Sequence, residues 1–173
     1  MPPKEKNHTT HARRSSSSAE SRVPSPVVHV GYATPRRGVP SARSFRRWVA
    51  VALAGARHDN SAELSIRIVG NREGRVLNRR YRGRDYATNV LSFPAELPPG
   101  VGSPLLGDIV IAAPVVLREA RDQDKSARDH YAHLTVHGVL HLLGYDHQND
   151  RDARRMETLE TRILASLGIT DPY

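Results

Sequence analysis

The fold class is decided by residues 107–114, which read Gly-Asp-Ile-Val-Ile-Ala-Ala-Pro. The five residues after Asp108 are all apolar, which is the pattern of a short strand buried on both faces. Pro114 suits the first turn of a helix. We therefore predict a central strand over residues 107–113, with strand-like sequence mostly before it and helical sequence after it.

Three further strands and two helices are predicted on the N-terminal side of this stretch. The strands are short and rich in β-branched or alternating apolar residues, and they cover residues 27–32, 62–69 and 89–93. Ser41 is a residue type that caps helix N-termini, and apolar residues recur at helical spacing after it. A second helix is predicted to begin with Asn71 as its cap and to continue to Tyr81.

The C-terminal side is predicted to be helical. One helix begins at Ser126 and stops at Gly144, and a last helix covers residues 150–167 with its apolar residues on one face. Four strands with about four to six helices, several of them clustered at the end of the chain, indicate a single-domain α+β fold.

The composition restricts the kind of protein that this chain can be. It has 173 residues, of which 38% are hydrophobic, and this suits one compact domain. Because we find neither an apolar stretch that could span a bilayer nor a secretory signal, we expect a cytoplasmic protein without membrane contact. Cysteine is absent, so any metal must be bound by His, Asp or Glu.

Positive charge is concentrated in the first third of the chain. Residues 1–60 contain 11 Lys and Arg against 3 Asp and Glu, and the net charge of the whole chain is +8. Residues 1–26 are basic, rich in Ser and Pro and poor in apolar residues, which predicts a disordered extension to a domain over residues 27–173. Such an arm either contacts a polyanion or serves only as a solvated tail.

A histidine motif near the C-terminus indicates a metal site. His137 and His141 are four residues apart, so a helix places both rings on one side. Gly144 then lets the chain reverse, and this reversal would bring His147 to the same ion as a third ligand. A fourth tetrahedral position would stay open, as in catalytic zinc sites. We predict one zinc ion per chain, although imidazole also suits copper, iron and nickel.

The neighbouring histidines leave alternatives to this ligand set. His133, His137 and His141 also share one helical face, but a straight helix surrounds an ion less well than a helix followed by a turn. We therefore predict that His133 packs beside the site and that His130 lies on the surface. Ordinary helix histidines are the simplest alternative, yet three at this spacing with a glycine at the reversal are hard to obtain by chance.

The spacing His-x3-His-x2-Gly-x2-His matches the zinc-binding frame of one metalloprotease clan, with one difference. Those proteases place a glutamate directly after the first histidine as the general base, whereas this chain has Gly138 there. Since glycine can transfer no proton, another group must activate the water or the metal must suffice. Peptide hydrolysis is therefore the weaker interpretation.

An arginine-rich segment supplies a second indication of function. Six arginines crowd one short region, at Arg72, Arg75, Arg79, Arg80, Arg82 and Arg84. They form either a solvated helix face or a phosphate-binding edge, because guanidinium donates paired hydrogen bonds to phosphate oxygens. An arginine beside a metal stabilises the charge that develops when a phosphodiester is cleaved, so the combination favours phosphodiester over peptide.

Four segments together resemble the YbeY family of bacterial endoribonucleases and rRNA maturation factors. They are residues 81–83, 88–94, 106–109 and 137–147, and the resemblance extends over residues 27–173. The sequence departs from the family at Ala87, where proline is usual. This departure loosens a turn and touches no proposed ligand.

The resemblance implies a mixed sheet, a metal cleft, zinc held by His137, His141 and His147, and a catalytic or phosphate-contacting role for Arg82. It implies single-strand-specific RNA cleavage in ribosomal RNA processing, notably at the three-prime end of the small-subunit rRNA, and in ribosome quality control. The implied partners are RNA, the small ribosomal subunit and its assembly factors. Four further residues near Arg82 are candidates for substrate binding: Arg79, Arg80, Asn89 and Ser92.

Two other functions remain compatible with the sequence. One is a zinc metallopeptidase-like hydrolase, and the other is a non-enzymatic ribosome-assembly factor whose metal is structural. Within the nuclease interpretation, either water or the 2′-OH of the RNA can attack phosphorus. The ends of the products distinguish these two routes, because internal attack leaves a 2′,3′-cyclic phosphate.

Overall fold

A computed structural model describes residues 25–59, 61–98 and 100–170 of the chain. The strands in these residues are β1 (Val27–Tyr32), β2 (Glu63–Val69), β3 (Val90–Pro94) and β4 (Leu105–Ala112). The helices are α1 (Ala42–Gly55), α2 (Asn71–Arg82), α3 (Ala113–Asp122), α4 (Ala127–Leu142) and α5 (Asp150–Ser166). The predicted α+β fold is confirmed. The predicted extension, residues 1–26, lies outside the described residues except for Ser25 and Pro26.

The four strands form one mixed sheet in the order β1-β2-β4-β3. Strands β1, β2 and β4 are parallel, and β3 pairs antiparallel with β4 at the edge. The side chains of β4 alternate between two hydrophobic clusters. Ile109 and Ile111 belong to the larger cluster, which α1, α4 and α5 share, whereas Val110 and Ala112 belong to a smaller one that includes Leu77 of α2. Helices therefore pack on both faces of the sheet.

Helix α4 lies at the centre of the larger cluster. It contacts β3, β4, α1, α3 and α5, and it is buried on nearly every side. Gly138 permits its close approach to β4, because a Cβ atom at this position would lie 3.0 to 3.3 Å from side-chain atoms of Ile109. Since His137 and His141 also belong to α4, the core of the protein fixes both of them in place.

The ends of several elements differ from the sequence-based expectation. Asn71 is the first residue of α2 rather than its cap, because Gly70 takes the cap position without a side-chain hydrogen bond. Pro94 remains within β3, where it pairs with Gly107. An edge strand tolerates a residue that lacks an N–H group. Among the described residues, no helix is long and apolar enough to cross a bilayer.

Candidate metal centre and cleft

The end of α4 and the turn after it bring three histidine rings together. The ring centroids of His137 and His141, one helical turn apart, are separated by 4.6 Å. Gly144 follows the helix with a φ of 86°, a left-handed conformation that reverses the chain. The reversal places the ring of His147 5.0 Å from that of His141 and 5.8 Å from that of His137. The predicted chain reversal is therefore confirmed.

The nitrogen atoms of these rings fit a metal ion. One ring nitrogen from each of His137, His141 and His147 lies within 4.8 Å of the other two. The Nε2 atoms of His137 and His141 are 3.1 Å apart. Two ligands bound about 2.0–2.1 Å from a tetrahedral ion would be about 3.3 Å apart. A set of three imidazoles also matches the donor chemistry that zinc takes in catalytic sites.

The surroundings of His141 keep its ring neutral. Burial lowers the pKa of His141, and the neighbouring rings of His137 and His147 lower it further, to about 4. Asp146 and a backbone hydrogen bond at Tyr145 oppose this shift only in part. At neutral pH the ring therefore keeps the nitrogen lone pair that a metal ligand needs.

A buried carboxylate lies against the same group of histidines. Glu160 of α5 has no exposed surface, and its Oε1 atom is 3.2 Å from Nε2 of His133 and 3.3 Å from Nδ1 of His137. Burial alone would raise the pKa of Glu160, but its contacts with His133 and His137 outweigh burial and lower the pKa to about 2. The carboxylate is therefore ionised at neutral pH.

Glu160 was not among the residues predicted from the sequence, although a signal was present. It lies one helical turn after Met156 and one turn before Leu164, and all three residues are buried. A glutamate within the apolar face of an amphipathic helix is a sign of a buried partner, since a charge is rarely buried without one. The predicted packing of His133 beside the site is confirmed, because His133 contacts Glu160.

An open cleft of about 840 Å³ lies over the three histidines. Its lining comes from the end of α2, from β3 and the residues around it, and from the end of α4 with the turn that follows. The lining residues are Arg82, Arg84, Asn89, Val90, Ser92, Pro94, His137, His141, Gly144, Tyr145, Asp146 and His147. The structure therefore brings Arg82, Asn89 and Ser92 together with the three histidines.

Arg82 differs from the arginines before it on α2. Arg75 donates hydrogen bonds of 2.9 and 2.5 Å to the two carboxylate oxygens of Asp85. Arg79 lies 4.0 Å from the same carboxylate and does not line the cleft. Asp85 is therefore engaged by Arg75 and Arg79, and within the part of the chain that the structure describes Arg82 forms no ion pair with an acidic residue. Its charge is directed to the cleft and is available to an anion.

The remaining arginines of this segment have other surroundings. The guanidinium of Arg80 lies 5.4 Å from the ring centroid of Tyr81, and Arg80 does not line the cleft. Arg84 does line it, and it donates a 3.0 Å hydrogen bond to the hydroxyl of Tyr86. Arg84 was not among the predicted site residues, because composition alone does not distinguish one arginine of such a segment from another.

Hydrogen bonds fix the polar side chains on the β3 side of the cleft. The amide nitrogen of Asn89 donates to Oε2 of Glu119 at 3.0 Å, and its oxygen accepts a 2.7 Å bond from the backbone N–H of Val90. The hydroxyl of Ser92 donates to the carbonyl oxygen of Gly138 at 3.4 Å. Both side chains therefore have defined orientations before any ligand enters.

The prediction that His130 lies on the surface is wrong. Its ring is 6% exposed, and its Nε2 atom is 2.8 Å from Oε2 of Glu119. Helix α3 packs against α4, and this packing covers the face of α4 from which His130 extends. Sequence spacing could not show the neighbouring helix that buries this ring.

Gly138 faces the sheet rather than the cleft. An added Cβ would meet three side-chain atoms of Ile109 at 3.0 to 3.3 Å, a spacing tighter than ordinary van der Waals contact. A glutamate at this position would therefore be directed into β4. This chain accommodates no general base at the place where the metalloprotease frame carries one.

Comparisons with known proteins find similar chains over most of the sequence. The family model described as Endoribonuclease YbeY matches residues 39–168. Endoribonuclease YbeY of Stenotrophomonas maltophilia (strain K279a) is 63% identical over 150 residues, which cover 84% of this chain and 92% of that protein. The protein of the same name from Xanthomonas axonopodis pv. citri (strain 306) is 62% identical with the same coverage.

A solved structure shows the same fold at a greater sequence distance. The solution structure of TM1509 from Thermotoga maritima has a TM-score of 0.57 at 20% sequence identity. The likeness covers 82% of this chain and 89% of that one. With the family model matching most of the described residues and relatives above 60% identity, this chain belongs to the endoribonuclease YbeY family.

Proposed function

We propose that this protein is a zinc-dependent endoribonuclease that cleaves single-stranded RNA in the cytoplasm. Its role would be ribosomal RNA processing, including the three-prime end of the small-subunit rRNA, and ribosome quality control, with the small subunit and its assembly factors as partners. The main support for the proposal is that three histidines, which could hold a metal ion, and Arg82 line the same cleft. Similarity to proteins named Endoribonuclease YbeY supports RNA as the substrate.

In this proposal, His137, His141 and His147 hold one zinc ion per chain. When bound, zinc supplies a Lewis acid that stabilises charge on a phosphoryl group and lowers the pKa of water. The contribution of the protein is to hold the three rings in place, two of them on a buried helix, and to keep His141 neutral. The open cleft leaves room above the rings for a strand of RNA.

Arg82 would bind the phosphate that is cleaved. A guanidinium donates two parallel hydrogen bonds to phosphate oxygens, and it stabilises the negative charge that grows as the bond breaks. Asn89 and Ser92 would contact the same strand from the β3 side of the cleft. Arg79 and Arg80 would contact the RNA backbone only where it continues beyond the cleft.

The position of Gly138 favours phosphodiester over peptide hydrolysis. When a peptide bond is hydrolysed, the amine is a poor leaving group and must receive a proton. In the metalloprotease frame, the glutamate supplies this proton. Here that position is directed into β4 at Ile109. Among the residues that line the cleft, two arginines outnumber the single carboxylate of Asp146, and together with three imidazoles they suit an anionic substrate better than a neutral amide.

Replacing Arg82 with alanine is expected to lower kcat/KM for a single-stranded RNA by about 10² to 10³-fold, the usual effect of removing one charge-stabilising donor. Bound zinc should remain at the wild-type level, since Arg82 contacts none of the three histidines. Arg82→Lys should retain part of the activity, because lysine keeps the charge but not the paired donors. Steady-state cleavage and metal analysis on the same samples measure both effects.

Arg72→Ala is the matched control for this substitution. Arg72 is exposed at the other end of α2, about 15 Å away along the helix axis, and does not line the cleft. Its replacement should leave kcat/KM within about twofold of wild type. Equal losses of kcat/KM in Arg82→Ala and Arg72→Ala would mean that Arg82 contributes only to the general positive charge of the segment.

The substrate class is tested with one sequence prepared as single-stranded RNA, as an RNA duplex and as single-stranded DNA. Zinc-loaded protein should cleave the single-stranded RNA internally and leave the RNA duplex largely intact. Absence of cleavage in all three would refute the enzymatic proposal, and equal cleavage of the duplex would refute its single-strand specificity. A cyclic phosphate on the products would assign the attack to the 2′-OH, which DNA lacks.

A further inference from the structure

A glutamate buried behind the histidine cluster has no role in the chemistry described so far. Glu160 lies on α5 with no exposed surface, within a helix face formed by apolar residues such as Met156 and Leu164. Taking a carboxylate out of water is strongly unfavourable unless hydrogen-bond donors replace the lost solvent. We therefore expect Glu160 to have a role at this position that an apolar residue could not fill.

The two donors that Glu160 meets are imidazoles of α4. Oε1 lies 3.2 Å from Nε2 of His133 and 3.3 Å from Nδ1 of His137, and Oε2 lies 3.5 Å from the same Nδ1 atom. The opposite nitrogen of His137, Nε2, faces His141 at 3.1 Å. One ring thus connects the buried carboxylate on one side with the candidate metal centre on the other.

We propose that Glu160 is a positioning residue of the metal centre, acting through His137. Its carboxylate accepts the hydrogen on Nδ1 of His137, which leaves the lone pair of that ring on Nε2, the atom that faces His141. The same bond sets the rotation of the ring. The inference rests on the metal centre put forward under Proposed function, and it adds a residue that does not itself touch the ion.

A competing arrangement is a second cation held by His133, His137 and Glu160. Ligand atoms of these three residues also lie within 4.8 Å of one another. Two observations favour the hydrogen-bonded arrangement. Glu160 is fully buried, so a cation bound to its carboxylate would lie out of solvent; neither Glu160 nor His133 lines the cleft, although His133 lines a separate cavity of about 240 Å³. The Nδ1 atom of His137 also lies within hydrogen-bond distance of Oε2, at 3.5 Å, so this ring can donate to the carboxylate with no cation between them.

The test is zinc affinity of the full-length chain, measured by competition with a chromophoric chelator and thus independent of RNA cleavage. Glu160→Met keeps a side chain of similar length but removes both acceptor oxygens. We expect its zinc affinity to be about 10 to 100-fold weaker than that of wild type, the usual loss when the partner of a ligating histidine is removed. The visible spectrum of the cobalt-substituted protein should also change, because the orientation of one ligand changes.

Thermal unfolding of the zinc-free proteins, taken together with the zinc affinity, separates this role from a purely structural one. Removing one partner of a buried hydrogen-bonded group is usually destabilising, so Glu160→Met should still unfold cooperatively but at a lower temperature than wild type. A purely structural residue would lower the unfolding temperature in the same way without changing the zinc affinity or the cobalt spectrum. Met156→Leu is the matched control, since it is a volume-conserving change one turn earlier on the same face. It should alter neither the zinc affinity nor the cobalt spectrum.

Glu160→Gln provides a second variant that retains the shape of the side chain and one acceptor oxygen. A neutral amide is a weaker acceptor than a carboxylate, so the zinc affinity should fall between those of wild type and Glu160→Met. If Glu160→Met does not fold, Glu160→Gln decides the question, and wild-type affinity in that variant would overturn the proposal.

The remaining outcomes are also distinct. Wild-type affinity in folded Glu160→Met, together with loss of zinc in His141→Ala, would overturn the role of Glu160 and leave the metal centre in place. Retention of zinc by His141→Ala would instead refute the proposed metal centre itself. Two zinc ions per wild-type chain, one of them lost in Glu160→Met, would show that Glu160 is a ligand rather than a positioning residue.

Discussion

Replacing His141 with alanine is expected to abolish stoichiometric zinc binding and to lower RNA cleavage by roughly 10³-fold or more. A bound metal contributes several kcal/mol of transition-state stabilisation, and each 1.36 kcal/mol corresponds to a factor of ten in rate. His141 is central to the cluster, with its ring centroid 4.6 Å from that of His137 and 5.0 Å from that of His147. The remaining two rings cannot make a three-nitrogen site. Metal content and single-turnover cleavage of a labelled RNA measure the two effects.

His29→Ala is the control for the loss of an imidazole. His29 is exposed on β1, at the edge of the sheet opposite β3, and its ring contacts the carboxylate of Glu63 at 3.1 Å. Its removal should leave zinc content and cleavage unchanged. Cleavage at the wild-type rate by a zinc-free His141→Ala protein would refute the metal mechanism. Zinc retention with lost cleavage would instead assign His141 to the chemistry and not to the metal.

Replacing Gly107 with alanine is expected to lower the free energy of unfolding by about 3 kcal/mol or more. Gly107 has a φ of 134°, a conformation that residues with a Cβ atom rarely adopt. The added Cβ would also collide with the backbone of β3, since it would approach the carbonyl oxygen of Phe93 far inside van der Waals contact and the nitrogen of Ala95 to 2.9 Å. Backbone atoms of a paired strand cannot move aside as a flexible side chain can.

Gly31→Ala is the matched control, because it also replaces a glycine within a strand. Gly31 has no other atom within 4 Å of the position that its Cβ would take. The free energy of unfolding of Gly31→Ala should therefore differ from that of wild type by no more than about 0.5 kcal/mol. Urea denaturation of zinc-free proteins, followed by circular dichroism, measures the difference between the two variants. Similar midpoints for both would show that β3 and β4 can separate at Gly107 without loss of stability.

Local sequence signals predicted most of the secondary structure. The side chains of Ser41 and Ser126 cap α1 and α4 as predicted, each accepting a bond from the backbone N–H three residues later. These features depend on interactions within a few residues, which spacing and residue type report directly. The chain reversal at Gly144 belongs to the same class, because the conformation of a glycine is a local property.

Features that depend on packing between distant elements were not predicted from the residues. Glu160 is 23 residues from His137, and no spacing rule relates α5 to α4. The burial of His130 depends on α3 in the same way. The mixed character of the sheet was expected only from the family resemblance, since the pairing of β3 with β4 is not encoded in either strand alone.

The arginine segment shows what composition can predict and what only the packing of the structure decides. Composition indicated a phosphate-binding edge, but it gave equal weight to every arginine. The structure separates them through Asp85, which engages Arg75 and Arg79, and through the end of α2, which places Arg82 and Arg84 at the cleft. A charge pattern can therefore suggest a ligand, whereas the choice of residue depends on which charges are already neutralised.

The burial of α4 has a consequence for how this protein tolerates sequence change. The helix that supplies two of the three histidines is also the helix around which the core is packed. A substitution at Val139 or Leu140, chosen only for its effect on packing, would shift the backbone that carries the two histidines. Stability and catalysis are thus coupled through one segment. Variants selected for greater thermostability should accumulate changes away from α4, where packing can improve without moving the histidines.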